Sequence, residues 1–261
     1  MVKTVKYNSI EMKYGVFGEG KKSFVIIPGL SATPVTDSIG AIEKMYASFT
    51  SDYTIYIFDR RSNLPSEYSI HEMAEDTYAV LQHIGVEKAF VYGVSQGGMI
   101  ALDLAISHPG FADKLIIASS TDKFSAEKDS IIKNWISLAE KHDGKGLFVA
   151  FAKGIYSPDK FETVKNVFSM LGEQITEKQL DDFAVLARAI LSFDLSDRIS
   201  EIKAPTLAVS DKGDVIMGIE PAKRIAEATG GEYYVYTEGY GHAVYDEAPD
   251  FSRRIFEFLQ K

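Results

Sequence analysis

Apolar and polar positions follow two different periods along this chain. Short runs rich in β-branched and aromatic residues, at Met12–Phe17, Ser23–Ile27, Tyr53–Phe58, Ala89–Tyr92 and Lys114–Ala118, have the length and make-up of strands. Between the later runs lie stretches with apolar residues three and four apart, the spacing of an amphipathic helix: Thr36 to Phe49, Ser69 to His83, and Gln96 to Ser107. The second of these opens with Ser69-Ile70-His71-Glu72, a capping box that starts a helix. Strand and helix in alternation predict an α/β fold with a mainly parallel, doubly wound sheet covered on both faces. At its start, Met12–Phe17 and Ser23–Ile27 joined by Gly18-Glu19-Gly20 predict an antiparallel hairpin.

The pattern changes after Thr121. Strand runs vanish until Ile202, and charged amphipathic helices are expected around Ser130–Lys141, Leu147–Gly154, Phe161–Leu171 and Thr176–Leu191. Alternation then resumes with a strand at Thr206–Ser210, a helix at Pro221–Thr229, a strand at Glu232–Tyr236 and a helix at Pro249–Gln260. Residues 1–120 and 203–261 thus read as one core, and 121–202 as a helical insertion between consecutive strands. Ligands of such sheets bind at the carboxyl ends of the strands, so an insertion leaving from there roofs the crevice as a lid. It carries Phe124, Trp135, Phe148, Phe151, Tyr156, Phe161, Phe168, Phe183 and Phe193, most expected in its own packing and a few facing an apolar pocket.

Composition narrows the functional classes. The chain has 261 residues, 46% of them hydrophobic, enough for one sizeable core plus an insertion. A net charge of -9 with no dense basic run makes nucleic acid and anionic membrane surfaces poor partners. With no cysteine there is no disulfide, thiolate nucleophile or thiolate metal site. Apolar runs such as Phe24–Leu30 are too short to span a bilayer, and Met1–Tyr7 is polar with no apolar segment after it. A soluble, cytoplasmic protein is the expectation; its oligomeric state is not encoded in any visible pattern. Gly15 to Lys22 imitates a phosphate loop, but it lacks the following Ser or Thr and leads into a strand, so it is set aside.

Candidate chemistry starts at Gly93-Val94-Ser95-Gln96-Gly97, set between the Ala89–Tyr92 strand and the Gln96–Ser107 helix. Strand, sharp turn with a serine, and helix is the context of a nucleophile elbow. A serine needs a base, and the chain has five histidines. His71 sits in the first turn of a capped helix. His83, His108 and His142 fall at helix C-terminal ends, where a cationic ring complements the dipole. His242, in the loop Glu238-Gly239-Tyr240-Gly241-His242-Ala243, has no such structural explanation and is the candidate base. The acid that orients it is Asp214, after the Thr206–Ser210 strand, with Asp122 second and Asp211 a near neighbour. The order Ser95, Asp214, His242 is the one expected on this fold.

These segments resemble the α/β-hydrolase superfamily, in particular its small lid-bearing serine hydrolases. The resemblance rests on Ile26-Ile27-Pro28-Gly29-Leu30, Phe58-Asp59-Arg60-Arg61, the elbow, Ala204-Pro205-Thr206-Leu207 through Asp214, and Gly241-His242 through Glu247-Ala248-Pro249. It implies that Leu30 and Gln96 supply the N–H groups of an oxyanion hole. The family commonly has His-Gly where Pro28-Gly29 stands, and glycines where Arg61-Ser62-Asn63-Leu64 has none. The expected activity is cleavage of a small ester, thioester or lactone through an acyl-serine, with no cofactor and no metal. Carbon–carbon bond hydrolysis or acyl transfer by the same triad, and a non-catalytic binding protein, are the alternatives.

Overall fold

The structure, a computed structural model, describes residues 1–261. β1 (Val2–Tyr7) and β2 (Ile10–Phe17) pair antiparallel, and β2 also runs antiparallel to β4 (Tyr53–Phe58). β3 (Lys22–Ile27), β4, β5 (Ala89–Val94), β6 (Ala112–Ala118), β7 (Thr206–Asp211) and β8 (Glu232–Tyr236) are mutually parallel. The eight-stranded order is β1-β2-β4-β3-β5-β6-β7-β8.

The opening hairpin differs from the one expected. β2 and β3 are not neighbours, because β4 lies between them; the hairpin is β1–β2, turning at Asn8 with φ 52°. The glycines after β2 instead let that loop pack on the chain entering β4. A Cβ on Gly20 would fall 1.9 Å from the Asp52 carbonyl carbon.

Side chains alternate across each strand, and on β3 the two sets go to different cores. Val25 and Ile27 join a larger cluster with Met73 and Val80 of α2 (Ile70–His83) and Ile100 and Leu104 of α3 (Gln96–Ser107). Phe24 and Ile26 pack with Phe49, which follows α1 (Ile39–Met45), and with Phe251 and Ile255 near the C-terminus. Burial on both faces is why these strands read as continuous apolar runs. The capping box at Ser69 is present, with Ser69 Oγ accepting from the Glu72 N–H and the Glu72 carboxylate accepting from the Ser69 N–H. Such a cap contributes about 1 kcal/mol.

Between the adjacent strands β6 and β7 the chain makes four helices: α4 (Asp129–Glu140), α5 (Gly144–Ile155), α6 (Pro158–Gly172) and α7 (Glu177–Leu191). The apolar faces of α4, α5 and α7, through Trp135, Phe148, Phe183 and Ile190, belong to the larger core, while α6 touches it through half-buried Phe168. The chain closes with α8 (Glu220–Thr229), α9 (Val244–Glu247) and α10 (Phe251–Gln260), which supplies the Phe251–Ile255 face described above. No helix is long and apolar enough to cross a membrane.

Candidate active site

Ser95 stands between β5 and α3 at φ 52° and ψ -121°, outside the regions L-residues ordinarily occupy. Such a conformation costs about 1–3 kcal/mol and persists only where the surroundings enforce it. Here they do. The Ser95 N–H donates to Ala118 O at 2.9 Å, and its carbonyl accepts from the N–H groups of Gly98 and Met99 and from the Ser120 hydroxyl at 2.7 Å. The flanking glycines are required by contact: a Cβ on Gly93 would lie 2.3 Å from Gly97 O, and one on Gly97 only 2.0 Å from Ile27 O.

His242 is buried, and its Nδ1 lies 2.9 Å from Asp214 Oδ2. The other Asp214 oxygen accepts from the N–H groups of Ile216 and Met217, both at 2.9 Å. Burial pushes the Asp214 carboxyl upward, but the charge and hydrogen bond of His242, with those two N–H groups, outweigh it and hold it below its ordinary value. A histidine fixed in this way through Nδ1 leaves Nε2 for chemistry.

Ser95, His242 and Leu30 line one small cavity of about 20 Å³, otherwise walled mainly by apolar side chains including Trp135, Phe151 and Ile190. Gly29 approaches so closely that a Cβ there would sit 3.2 Å from Ser95 Cβ. The Leu30 N–H bonds to no other group of the chain. The Gln96 N–H, at the first position of α3, lies outside that helix's hydrogen-bond ladder.

The remaining titratable candidates are elsewhere. Asp122 pairs with Arg224 at 2.6 Å, His71 with Asp103 at 2.8 Å, His108 with Glu75 at 2.8 Å, and His142 with Asp181 at 3.0 Å, while His83 packs on the Tyr7 ring. Four further partners are not evident in the sequence. Fully buried Asp211 accepts through Oδ1 from the N–H groups of Gly213 (2.6 Å) and Gly241 (2.9 Å), the residues just before Asp214 and His242. Ile155 O, at the end of α5, accepts from the Ala243 N–H at 2.7 Å. Gln96 Nε2 donates to Leu186 O of α7 at 2.7 Å, and Arg60 Nη2 to Pro28 O at 2.7 Å. Gln96, Arg60 and Asp211 fall in motifs readable from the sequence, but none of those motifs announces these bonds.

Residues 22–249 match the model of the alpha/beta hydrolase fold family, so the chain belongs to that family. It is an α/β-fold hydrolase. It is 25% identical over 225 residues to a putative carbamate hydrolase, RutD, of Rhizobium rhizogenes, covering 82% of this chain and 85% of that one. It is also 25% identical over 215 residues to 3-oxoadipate enol-lactonase 1 of Acinetobacter baylyi, covering 77% and 79%. Among solved structures, MGS-M2, an alpha/beta hydrolase enzyme from a Medee basin deep-sea metagenome library, superposes with a TM-score of 0.88 at 23% identity, covering 99% and 98%.

Proposed function

We propose that this chain is a serine hydrolase that cleaves a small ester, thioester or lactone through an acyl-serine intermediate. The observation that carries the reading is a strained serine facing the same apolar cavity as a buried histidine fixed on a carboxylate. In it, His242 Nε2 takes the Ser95 Oγ proton as Oγ attacks the carbonyl carbon. The resulting oxyanion is held by the N–H groups of Leu30 and Gln96, and Asp214 stabilises the imidazolium. His242 then gives its proton to the leaving oxygen or sulfur, and the acyl group stays on Oγ. A water, deprotonated by the same nitrogen, attacks the acyl-serine and releases the acid and the free hydroxyl.

Residues 121–202 act in this reading as a lid. A 20 Å³ cavity holds about one water, so a substrate needs the helices over Ser95 to shift. The relatives named for carbamate hydrolysis and enol-lactone cleavage support acyl chemistry with small substrates. The test is labelling by a fluorophosphonate beside turnover of p-nitrophenyl esters graded by acyl length and of simple lactones. Wild type should label and turn over; Ser95→Ala should lose labelling and about 10⁴-fold or more of turnover with its fold intact. Near-normal turnover by Ser95→Ala would falsify the reading.

A further inference from the structure

A second cavity, of about 260 Å³, lies against the loop that follows β3, and its lining includes Gly29, Arg60 and Lys13. Arg60 is the unusual member. Its Nη2 donates to Pro28 O at 2.7 Å and reaches Gln96 Oε1 at 3.4 Å, both neutral oxygens. Its Nε is buried and donates to nothing. The adjacent carboxylate of Asp59, itself in the cavity wall, forms no ion pair with Arg60: it is turned to the N–H and hydroxyl of Thr36 at 3.2 and 2.6 Å, and its charge acts on the guanidinium only from a distance. Burial lowers the guanidinium to about 10, which still leaves it charged at neutral pH. The other charges around the cavity are matched: Arg61 pairs with Asp76 at 3.1 Å, and Lys178 with Asp182 at 2.6 Å. Exposed Lys13 at the rim is left over with Arg60 and Asp59, two unpaired cations against one carboxylate, an excess of one positive charge in a concavity of a chain whose net charge is -9.

A desolvated charge with no directly paired counter-ion is expensive to keep, and a ligand anion lowers that penalty. The cavity adjoins the Ser95 site by two routes. Gly29 is a wall of both, and Phe183 walls both this cavity and a mostly apolar one of about 190 Å³ whose Phe151 also lines the Ser95 cavity. Of the guanidinium, Nη1 is neither bonded within the chain nor sealed off, and a charge-assisted bond from it suits a carboxylate oxygen.

We propose that the cavity floored by Arg60 and rimmed by Lys13 binds a carboxylate carried by the substrate, so that the preferred substrates are acyl compounds with a free acid group. The substrate part of this rests on the serine hydrolase reading above; the anion site does not. Two measurements separate them. The first compares kcat/KM for mono-p-nitrophenyl glutarate with that for p-nitrophenyl valerate, a neutral ester of similar length. Wild type should favour the acid ester about tenfold or more, the size of one buried charge-assisted contact. Lys13→Gln should lower that ratio about threefold, as expected of an exposed charge. Arg60→Met, which also releases Pro28 O, should slow both esters and bring the ratio to about one. Added sodium chloride should shrink the wild-type preference.

The second measurement is calorimetric titration of the intact protein with sodium glutarate, which needs no turnover. Binding in wild type that weakens in Lys13→Gln and disappears in Arg60→Met supports the anion site. No glutarate binding, or normal valerate turnover with no preference for the acid ester, overturns the proposal. Glutarate binding without turnover or labelling would sink the hydrolase reading and leave the anion site standing.

Discussion

Asp211 and Asp214, three residues apart at the end of β7, are both buried and differ in what they hold. Asp214 faces His242, and Asp214→Asn should leave the ring in the wrong tautomer, lowering kcat about 10⁴-fold in an ester assay with little change in fold. Its depressed carboxyl also links stability to pH. The folded value lies below the unfolded one of about 3.9, so the stabilisation is complete above that value and is lost as pH falls through the folded one. Thermal melts from about pH 5 downward should therefore show a steeper loss in wild type than in Asp214→Asn; parallel curves would contradict this assignment. Asp211 braces both loops through one oxygen, which an amide can replace but a methyl cannot. Asp211→Asn should be mild, whereas Asp211→Ala should lower kcat at least tenfold with KM little changed. If the alanine variant melts lower but keeps its kcat, Asp211 supports the fold and not the site.

At the scale of elements, what the sequence revealed and what it hid follow from how local each signal is. α2 and α3 begin and end where capping and periodicity put them, because those signals lie within the segment itself. The elbow glycines are legible for the same reason, and Gly97→Ala should fail in a measurable way. Its Cβ meets a backbone oxygen that cannot yield, so the variant should lose several degrees in Tm and its fluorophosphonate labelling together. β1 went unread because only Val5 of its six residues is buried, which leaves no apolar alternation. The misplaced hairpin has another cause: apolar runs say which segments are strands, but not that β4 would slide between β2 and β3. Arg61, where glycines were expected nearby, ties its loop to Asp76 of α2 and to Ser9 O in the β1–β2 turn, contacts that no pattern within the loop encodes. Of the aromatics between β6 and β7, Trp135 lines the Ser95 cavity, Phe148 and Phe168 line its neighbour, and Phe151 stands between the two. Helical spacing cannot make that division. Trp135→Ala should therefore shift acyl-length preference in the graded ester series, and unchanged preference with a lower Tm would place it in packing alone.

For the molecule as a whole, the helices between β6 and β7 and the sheet are bound at the points where chemistry is proposed. Ile155 O holds the Ala243 N–H, the Ser157 hydroxyl and N–H both donate to the Glu247 carboxylate at 2.5 and 2.8 Å, and Gln96 reaches Leu186 O. Sequence alone suggests that replacing residues 121–202 by a short linker would lower the turnover of small, water-soluble esters less than that of longer apolar ones. The structure points the other way: the linker would leave the His242 loop without its upper support, and small esters should suffer along with long ones. These bonds also bear on how chains of this kind diversify. A helical segment that props the histidine loop cannot be traded between lineages as a free cassette. A donor segment would bring its own pocket walls, yet it would yield a working hybrid only if its counterpart of Ile155 met the recipient's Ala243. Recombination that moves residues 121–202 intact keeps walls and prop together, whereas a crossover between α5 and α6 parts them, so viable hybrids should cluster in the first group.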